Sequence, residues 1–378
     1  MRLSLTDRQR ELRRELRSFA REEIEPQATA LDREGRYPAE ILAALGERRL
    51  TGMTLPESYG GRDDGLLELA IVIEELSAAA MPVASALALH LGVATEIEHL
   101  GSEKLRETVL PAMARFETVG ALGLTEANAG SDTLAMETTA RRDGDDWVLS
   151  GSKSWVTNFL EADVVLTYAK TGPEADTARN VSAFLVPTER FDVETVWETL
   201  GARCVKTVAV RLDDVRVSGD RMVGEEGTAY ARRGEGGIGV NLPARAVGIA
   251  RAALEDTIEF VLDGSEESVG RPVGDSQAIR HRIADMSGQV DAARLLTYRA
   301  ADRADRGFDA SREISMAKIV ATELGVDVTN EALRIHGQVG YTADHDVGRY
   351  VRDARLLPIA GGPNDTKRNA LADAVIEG

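Results

Sequence analysis

Two short segments carry side chains that together suit a flat aromatic cofactor. Ala129-Gly130-Ser131 predicts a tight turn, and because Gly130 has no Cβ, the backbone N–H groups there can approach an anion closely. About two dozen residues later, Trp155-Val156-Thr157 places an aromatic face beside a hydroxyl donor. A heteroaromatic cofactor needs a surface to lie on and a donor at its edge. The alternative interpretation is an ordinary turn followed by a core tryptophan on a strand.

The sequence around these segments resembles a known family. Gly123–Asp132, which reads GLTEANAGSD, and Ser154–Asn158, which reads SWVTN, resemble a signature and the flavin-stacking segment of the acyl-CoA dehydrogenase superfamily. Arg349–Arg355 resembles the family's final signature. The resemblance implies an FAD-dependent oxidoreductase acting on an acyl thioester of CoA or of an acyl-carrier protein. It implies FAD contacts at Leu122, Thr125, Gly130, Ser131, Trp155, Thr157, Ser268, Arg334 and Gln338.

The catalytic base that the resemblance implies is missing from both of its known positions. Family members remove the α-proton of the substrate with a glutamate, and Gly361 occupies that position here. Other members carry the glutamate in the first helix of the last domain, where this chain has Ile238 or Val240. A positioned general base contributes about 10²–10⁴-fold to the rate. The sequence therefore predicts a displaced base or an unusually acidic substrate.

Two carboxylates lie close in sequence to the vacant base positions. Asp365 lies near Gly361 and is the candidate base, while Glu235 lies near the other position. For both residues the alternative interpretation is ordinary surface charge, and for Glu235 that alternative is favoured.

The phosphate half of the implied FAD site is also altered. The family usually carries an arginine that pairs with the FAD pyrophosphate of a neighbouring subunit, and Glu266 stands at that position. A carboxylate facing a pyrophosphate is repulsive. Arg334 and Gln338 depart from the family pattern nearby, so one hypothesis is that Arg334 now supplies the phosphate charge and pairs with Glu266. The other hypothesis is a phosphate site that has been lost.

Three functions from different classes follow from this pattern. The first is a dehydrogenase of acyl thioesters that passes electrons to an electron-transfer flavoprotein or to O₂. The second is a monooxygenase on the same fold, which uses reduced flavin and O₂ and does not need the α-proton base. The third is a non-catalytic or non-redox partner subunit, which the altered phosphate contacts favour. The set Thr125, Trp155 and Thr157 argues against the third, because a protein without flavin does not need it.

The composition and the terminal sequence indicate which partners and which location to expect. The formal net charge of −18 over 378 residues, with no basic stripe, argues against nucleic acid. The start, Met1–Asp7, does not have the pattern of a signal peptide, and the apolar stretch Leu76–Thr95 is interrupted by Pro82, so we expect a cytoplasmic protein without membrane insertion. The histidine and cysteine spacings predict no metal site.

The period of the apolar residues divides the chain into three parts. Residues 1–117 show helical spacing and begin with a capping box of Thr6 and Gln9. Residues 118–222 alternate as strands do, with a Ser-Gly turn predicted after Leu149. Residues 223–378 return to helical spacing and predict a four-helix bundle. This α–β–α order is also the fold that the resemblance implies, together with a homodimer or homotetramer.

Overall fold

The expected order of helices, sheet and helices is confirmed. The computed structural model describes residues 4–172, 180–234, 237–263, 267–268 and 271–376. The last helix before the sheet ends at Ala114 and the first strand begins at Gly120. The strand Met222–Val223 precedes the return to helices. The boundary assigned at 117/118 falls between that helix and that strand, whereas the one at 222/223 divides the strand Met222–Val223, and both boundaries stay predictions.

The first part of the chain is helical from its capping box onward. Thr6 accepts the backbone N–H of Gln9, and the Gln9 side chain accepts the backbone N–H of Thr6, which confirms the predicted cap. A π-helical turn, Ala20–Ile24, joins the first two helices. The helices of this part are α1 (Asp7–Phe19), α2 (Glu25–Glu34), α3 (Ala39–Glu47), α4 (Leu66–Leu100) and α5 (Glu103–Ala114).

Helix α4 is the central helix of the molecule. Its backbone leaves the helical conformation at Ala80, two residues before Pro82, so it is a kinked pair, as expected from the proline. It is long and apolar enough to cross a membrane, but 83% of its most apolar window is buried within the protein, as in the core helix of a soluble domain. Its buried Glu74 and Glu75 are ion-paired with Arg294 and Arg251 of later helices. These pairs tie the first part of the chain to the last.

The middle of the chain forms one sheet. Among the described residues its strand order is β6-β7-β3-β2-β4-β5-β8, with β1 added in parallel to β4. The strands are β1 (Gly120–Gly123), β2 (Thr139–Asp143), β3 (Asp146–Thr157), β4 (Val164–Lys170), β5 (Val181–Pro187), β6 (Asp192–Trp197), β7 (Thr207–Ser218) and β8 (Met222–Val223).

The Ser-Gly turn predicted after Leu149 is wrong. Strand β3 continues through Ser150 and Gly151, and its register against β7 shifts between Leu149 and Gly151. Gly151 has a φ of 147°, and a Cβ there would lie 2.5 Å from Thr138 Oγ1. The glycine therefore marks a β-bulge that bends the strand, and the strand does not end there.

The last part of the chain is the expected helical bundle. Helices α7, α8 and α9 are long, α7 packs against both α4 and α9, and the short helices α10 and α11 pack on α9. Helix α9 is interrupted at Gly337, whose φ is 58°. The helices and the small hairpin of this part are α6 (Ala229–Arg232), α7 (Asn241–Asp263), β9 (Glu267–Ser268), β10 (Arg271–Pro272), α8 (Gln277–Asp305), α9 (Ser311–Gly340), α10 (Val347–Ala354) and α11 (Asn364–Ile376).

A buried histidine joins three elements and predicts acid sensitivity. His90 Nδ1 accepts the N–H of Gly120 at 3.2 Å, so Nε2 carries the proton that is donated to the Met113 carbonyl at 3.0 Å. Burial lowers the pKa of His90 to about 4. The unfolded chain, with an ordinary histidine pKa, binds more protons between about pH 4 and 6.5, so stability falls as the pH falls through that range.

We expect acidification from pH 6.5 to 4 to cost the native protein up to about 3 kcal/mol through His90. Urea unfolding of the native protein and of His90→Gln across this range measures the difference, because the other titrating groups are common to both proteins. A difference that does not change with pH would contradict the assignment.

Candidate functional site

The loop after β1 is fastened to strand β3, which brings together the two segments that were predicted to bind a cofactor. The Ser154 N–H donates to the Thr125 carbonyl at 2.8 Å. One residue later in the loop and one residue earlier in β3, Lys153 Nζ lies 2.7 Å from Glu126 Oε1. Glu126 also accepts the backbone N–H groups of Glu137 and Thr138, so it closes the loop on itself. Thr125, Gly130 and Ser131 therefore lie in one loop fastened beside Trp155, and Leu122 lies in β1 just before that loop.

The Lys153–Glu126 pair is buried, and the pKa values of both side chains are shifted. Burial lowers the pKa of Lys153 to about 8, although Glu126 opposes this shift. Burial also acts to raise the pKa of Glu126, but the charge of Lys153 and the hydrogen bonds bring it below its ordinary value. Glu126 is therefore ionised at neutral pH, and the pair holds the loop.

Trp155 lies on the surface, so its interpretation as a core tryptophan is wrong. Its side chain is 55% exposed, and its φ of 60° is unusual for a bulky residue in a strand. The β3–β7 register shifts again between Lys153 and Val156, which turns Trp155 out of the sheet. One face of the indole stacks on Trp197 at 5.2 Å between ring centroids, with 16° between the planes. The core tryptophan of this sheet is Trp147.

The residues after Trp155 are tied to neighbouring elements. Thr157 Oγ1 lies 2.9 Å from Thr207 Oγ1 of β7. The two hydroxyls form one hydrogen bond, in which either can be the donor. Asn158 has a φ of 68° and donates from Nδ2 to the Ala86 carbonyl of α4 at 2.9 Å. The end of β3 is thus held against the central helix.

Gly130 and Ser131 lie in an open part of the loop. Both residues are exposed, and a Cβ on Gly130 would meet no atom within 4 Å. The packing of the chain itself therefore does not require glycine here. The open space leaves room for a ligand beside this backbone.

The position predicted to lack the family base, Gly361, is closed by a side chain from α7. Gly361 has a φ of 65°, and a Cβ there would lie 2.4 Å from Leu242 Cδ1. The loop that carries Gly361 is fastened by the buried Lys318, whose Nζ donates to the Pro358 and Gly362 carbonyls at 3.0 and 2.8 Å. Burial is the main reason that the pKa of Lys318 is lowered to about 8.

The alternative base positions are part of the apolar core. Ile238 and Val240 are both buried and belong to the cluster around α4. Neither side chain can accept a proton. The absence of the family base from these positions stays a prediction.

The candidate base Asp365 lies on the surface. Its side chain is 94% exposed at the start of α11 and forms an ion pair with Arg368 at 3.1 Å. These contacts favour the surface-charge interpretation, and a catalytic role for Asp365 stays a prediction. Glu235 lies outside the described residues.

The residues expected near the pyrophosphate lie at the end of α9. Arg334 is exposed and pairs with Glu331 one turn earlier, at 2.9 Å, and Gln338 is exposed beside the break at Gly337. Within the described residues of one chain, no contact joins them to the loop after β1. Glu266 and the side chain of Ser268 lie outside the described residues, so the predicted Arg334–Glu266 pair stays a prediction.

Sequence reasoning missed three residues of this region because their contacts are long-range. Trp197, Leu242 and Lys318 come from β6, α7 and α9, and each is isolated from the signatures along the chain. A tryptophan at the end of a strand was the one available signal for Trp197. Leu242 and Lys318 gave no signal that periodicity or motifs detect.

Matches to known families cover most of the chain. Residues 6–117, 121–215 and 238–376 match the N-terminal, middle and C-terminal domains of acyl-CoA dehydrogenase. The chain is 32% identical to the probable acyl-CoA dehydrogenase YngJ of Bacillus subtilis, with all of both chains covered. It is 35% identical to the probable acyl-CoA dehydrogenase fadE25 of Mycobacterium leprae, with 98% of this chain and 96% of that one covered.

A solved structure shows the same architecture over the full length. Butyryl-CoA dehydrogenase from Megasphaera elsdenii superposes with a TM-score of 0.94 at 31% identity, covering 100% of both chains. These matches agree with the signatures, with the order of domains and with the exposed Trp155 beside Thr157, and all of them indicate the same family. The chain belongs to the acyl-CoA dehydrogenases, oxidoreductases that act on CH–CH donors.

Proposed function

We propose that the chain is an FAD-dependent acyl-thioester dehydrogenase with a displaced or missing α-proton base. The observation that carries the proposal is Trp155, a large exposed indole in a left-handed backbone conformation beside Thr157. Exposing its free face to water has no benefit for folding, whereas a flat cofactor would cover it. The open space at Gly130 and the unpartnered Nε1 of Trp197 also fit a bound flavin. When bound, FAD supplies the acceptor for the β-hydrogen of the substrate.

The names of the relatives support CoA as the carrier of the acyl group, with a carrier protein as the second possibility. We infer an electron-transfer flavoprotein or O₂ as the electron acceptor. We also infer a homodimer or homotetramer, because Arg334 and Gln338 would reach the flavin phosphates of a neighbouring subunit. Analytical ultracentrifugation tests this assembly, and a monomer with full flavin occupancy would exclude it.

A reduced-flavin monooxygenase is the second candidate. The observation that favours it is the apolar character of every family base position, since Gly361, Ile238 and Val240 offer no proton acceptor. Two measurements distinguish the two candidates. Anaerobic bleaching of the flavin by butyryl-CoA supports the dehydrogenase, and substrate-dependent O₂ consumption with an external reductase supports the monooxygenase.

The visible absorption spectrum of the protein, before and after adding FAD, tests the flavin site. We expect Trp155→Ala to weaken FAD binding by about 10- to 30-fold, because it removes an aromatic face worth about 1.5–2 kcal/mol. Titration of the apoprotein with FAD, followed by flavin fluorescence, measures the dissociation constant.

Leu160→Ala is the matched control, because Leu160 is also exposed and apolar and follows the same strand. Equal affinities of Trp155→Ala and Leu160→Ala would exclude stacking on Trp155. A native protein that takes up no FAD would exclude both flavin functions and leave a partner-subunit role.

A further inference from the structure

Arg245 is a buried cation that has only neutral partners among the described residues. It lies in the second turn of α7 with 5% of its surface exposed. Nη1 donates to Ser85 Oγ at 2.7 Å, and Nη2 donates to Asn241 Oδ1 at 2.7 Å. Nε is buried and has no hydrogen-bond partner. Of the five guanidinium N–H donors, three remain available for a further acceptor.

A second arginine of the same helix shows what a buried cation ordinarily requires. Arg251 is equally buried, and it lies 2.7 Å from Glu75 and 3.2 Å from Glu255. Burying a charge without an anion is expensive, and helix α7 satisfies this requirement at Arg251 but not at Arg245. Burial lowers the pKa of Arg245 to about 10, so the side chain is still cationic at neutral pH. An anion from outside the chain would complete the site.

The position of Arg245 links it to the proposed reaction site from two sides. On one side, Asn241 precedes Leu242, whose side chain reaches the vacant base position at Gly361. On the other side, Ser85 precedes Ala86, whose carbonyl is bound by Asn158 at the end of β3. Each hydrogen-bond partner of Arg245 is thus the chain neighbour of a residue that contacts one of these two segments.

We propose that Arg245 binds a carboxylate on the acyl chain, so that the preferred substrate is the thioester of a short dicarboxylic acid. This inference rests on the proposed function. A guanidinium donates two parallel hydrogen bonds to a carboxylate, which fits its free Nε–H and a neighbouring N–H. Because the site is shielded from water, such a pair is far stronger than one on the surface. The carboxylate would also supply the charge that the buried cation lacks.

The test compares two ligands of equal chain length on the FAD-loaded native protein. The ligands are 3-thiaglutaryl-CoA and 3-thiapentanoyl-CoA, in which sulfur at the β position prevents oxidation. Isothermal titration calorimetry gives both dissociation constants without any turnover. We expect the dicarboxylic ligand to bind about 10- to 100-fold more tightly, the range for a buried hydrogen-bonded charge pair.

Variants assign the preference to Arg245. We expect Arg245→Gln to reduce the ratio of the two dissociation constants to about one, with the affinity for 3-thiapentanoyl-CoA changed by less than about threefold. Arg245→Lys keeps the charge and should retain part of the preference. Arg280→Gln, at an exposed arginine of α8, is the matched control and should leave the ratio unchanged. A purely structural role of Arg245 would alter both affinities together and leave their ratio as it is.

The outcomes separate this inference from the proposed function. Equal binding of both ligands to the native protein overturns the inference alone, and that comparison does not depend on the folding of any variant. A preference that survives in Arg245→Gln also overturns it. Failure of both ligands to bind overturns the proposed function and the inference with it.

Discussion

The double variant Gly361→Glu/Leu242→Ala is expected to be reduced by butyryl-CoA about 10²–10⁴-fold faster than the native protein. That range is the usual contribution of a positioned general base. The glutamate would stand at the position that the family uses, and alanine at 242 would remove the side chain that now closes it. Anaerobic stopped-flow absorption of the bound flavin measures the rate.

The single variant Gly361→Glu should show much less of this gain. A side chain at a φ of 65° costs about 1–2 kcal/mol, and the new Cβ would come within 2.4 Å of Leu242 Cδ1. Displacing a packed leucine adds about 1–3 kcal/mol. We therefore expect Gly361→Glu to lower the free energy of unfolding and Leu242→Ala to relieve part of that loss.

Gly361→Gln/Leu242→Ala is the matched control for the base, because it has the same shape and cannot take the proton. If the glutamine and glutamate variants are reduced at the same rate, the missing base is not what limits the native protein. That result would support the monooxygenase, whose reaction does not use the base.

Lys153→Met should lower the free energy of unfolding by about 3–5 kcal/mol. The substitution removes the cation from a buried pair and leaves the Glu126 carboxylate without its counter-charge. Glu126→Gln should also destabilise the protein, because it leaves the Lys153 ammonium buried beside neutral groups only. Urea unfolding at pH 7 measures both changes.

The double variant Lys153→Met/Glu126→Gln tests whether the two side chains act as a pair. We expect it to be more stable than the sum of the single changes predicts, by about 1–3 kcal/mol, because no unpaired charge remains. Simple additivity would show that the two residues contribute independently. Arg216→Met, which breaks exposed pairs of the same sheet, is the control and should change stability by about 1 kcal/mol or less.

Features that depend on neighbouring residues were predicted well from the sequence. The capping box at Thr6 and the α–β–α order are set by hydrogen bonds within one turn and by the spacing of apolar residues. The Ser-Gly turn failed because a β-bulge at Gly151 is fixed by the register with β7, a strand about 60 residues away. The exposure of Trp155 depends on the same pairing.

The sequence by itself determined the family and the domain order, and it predicted which segments hold a flavin and that Gly361 replaces the base. Only the tertiary structure decided that Leu242 packs against Gly361, and that Arg245 lies buried beside Ser85 with neutral partners among the described residues. Motifs report residues that are close along the chain. Whether a side chain fills the space at Gly361, and whether the charge of Arg245 is balanced, depends on residues that are distant along the chain and that packing brings together. The contacts concerned join α7 to α4 and to the loop before α11.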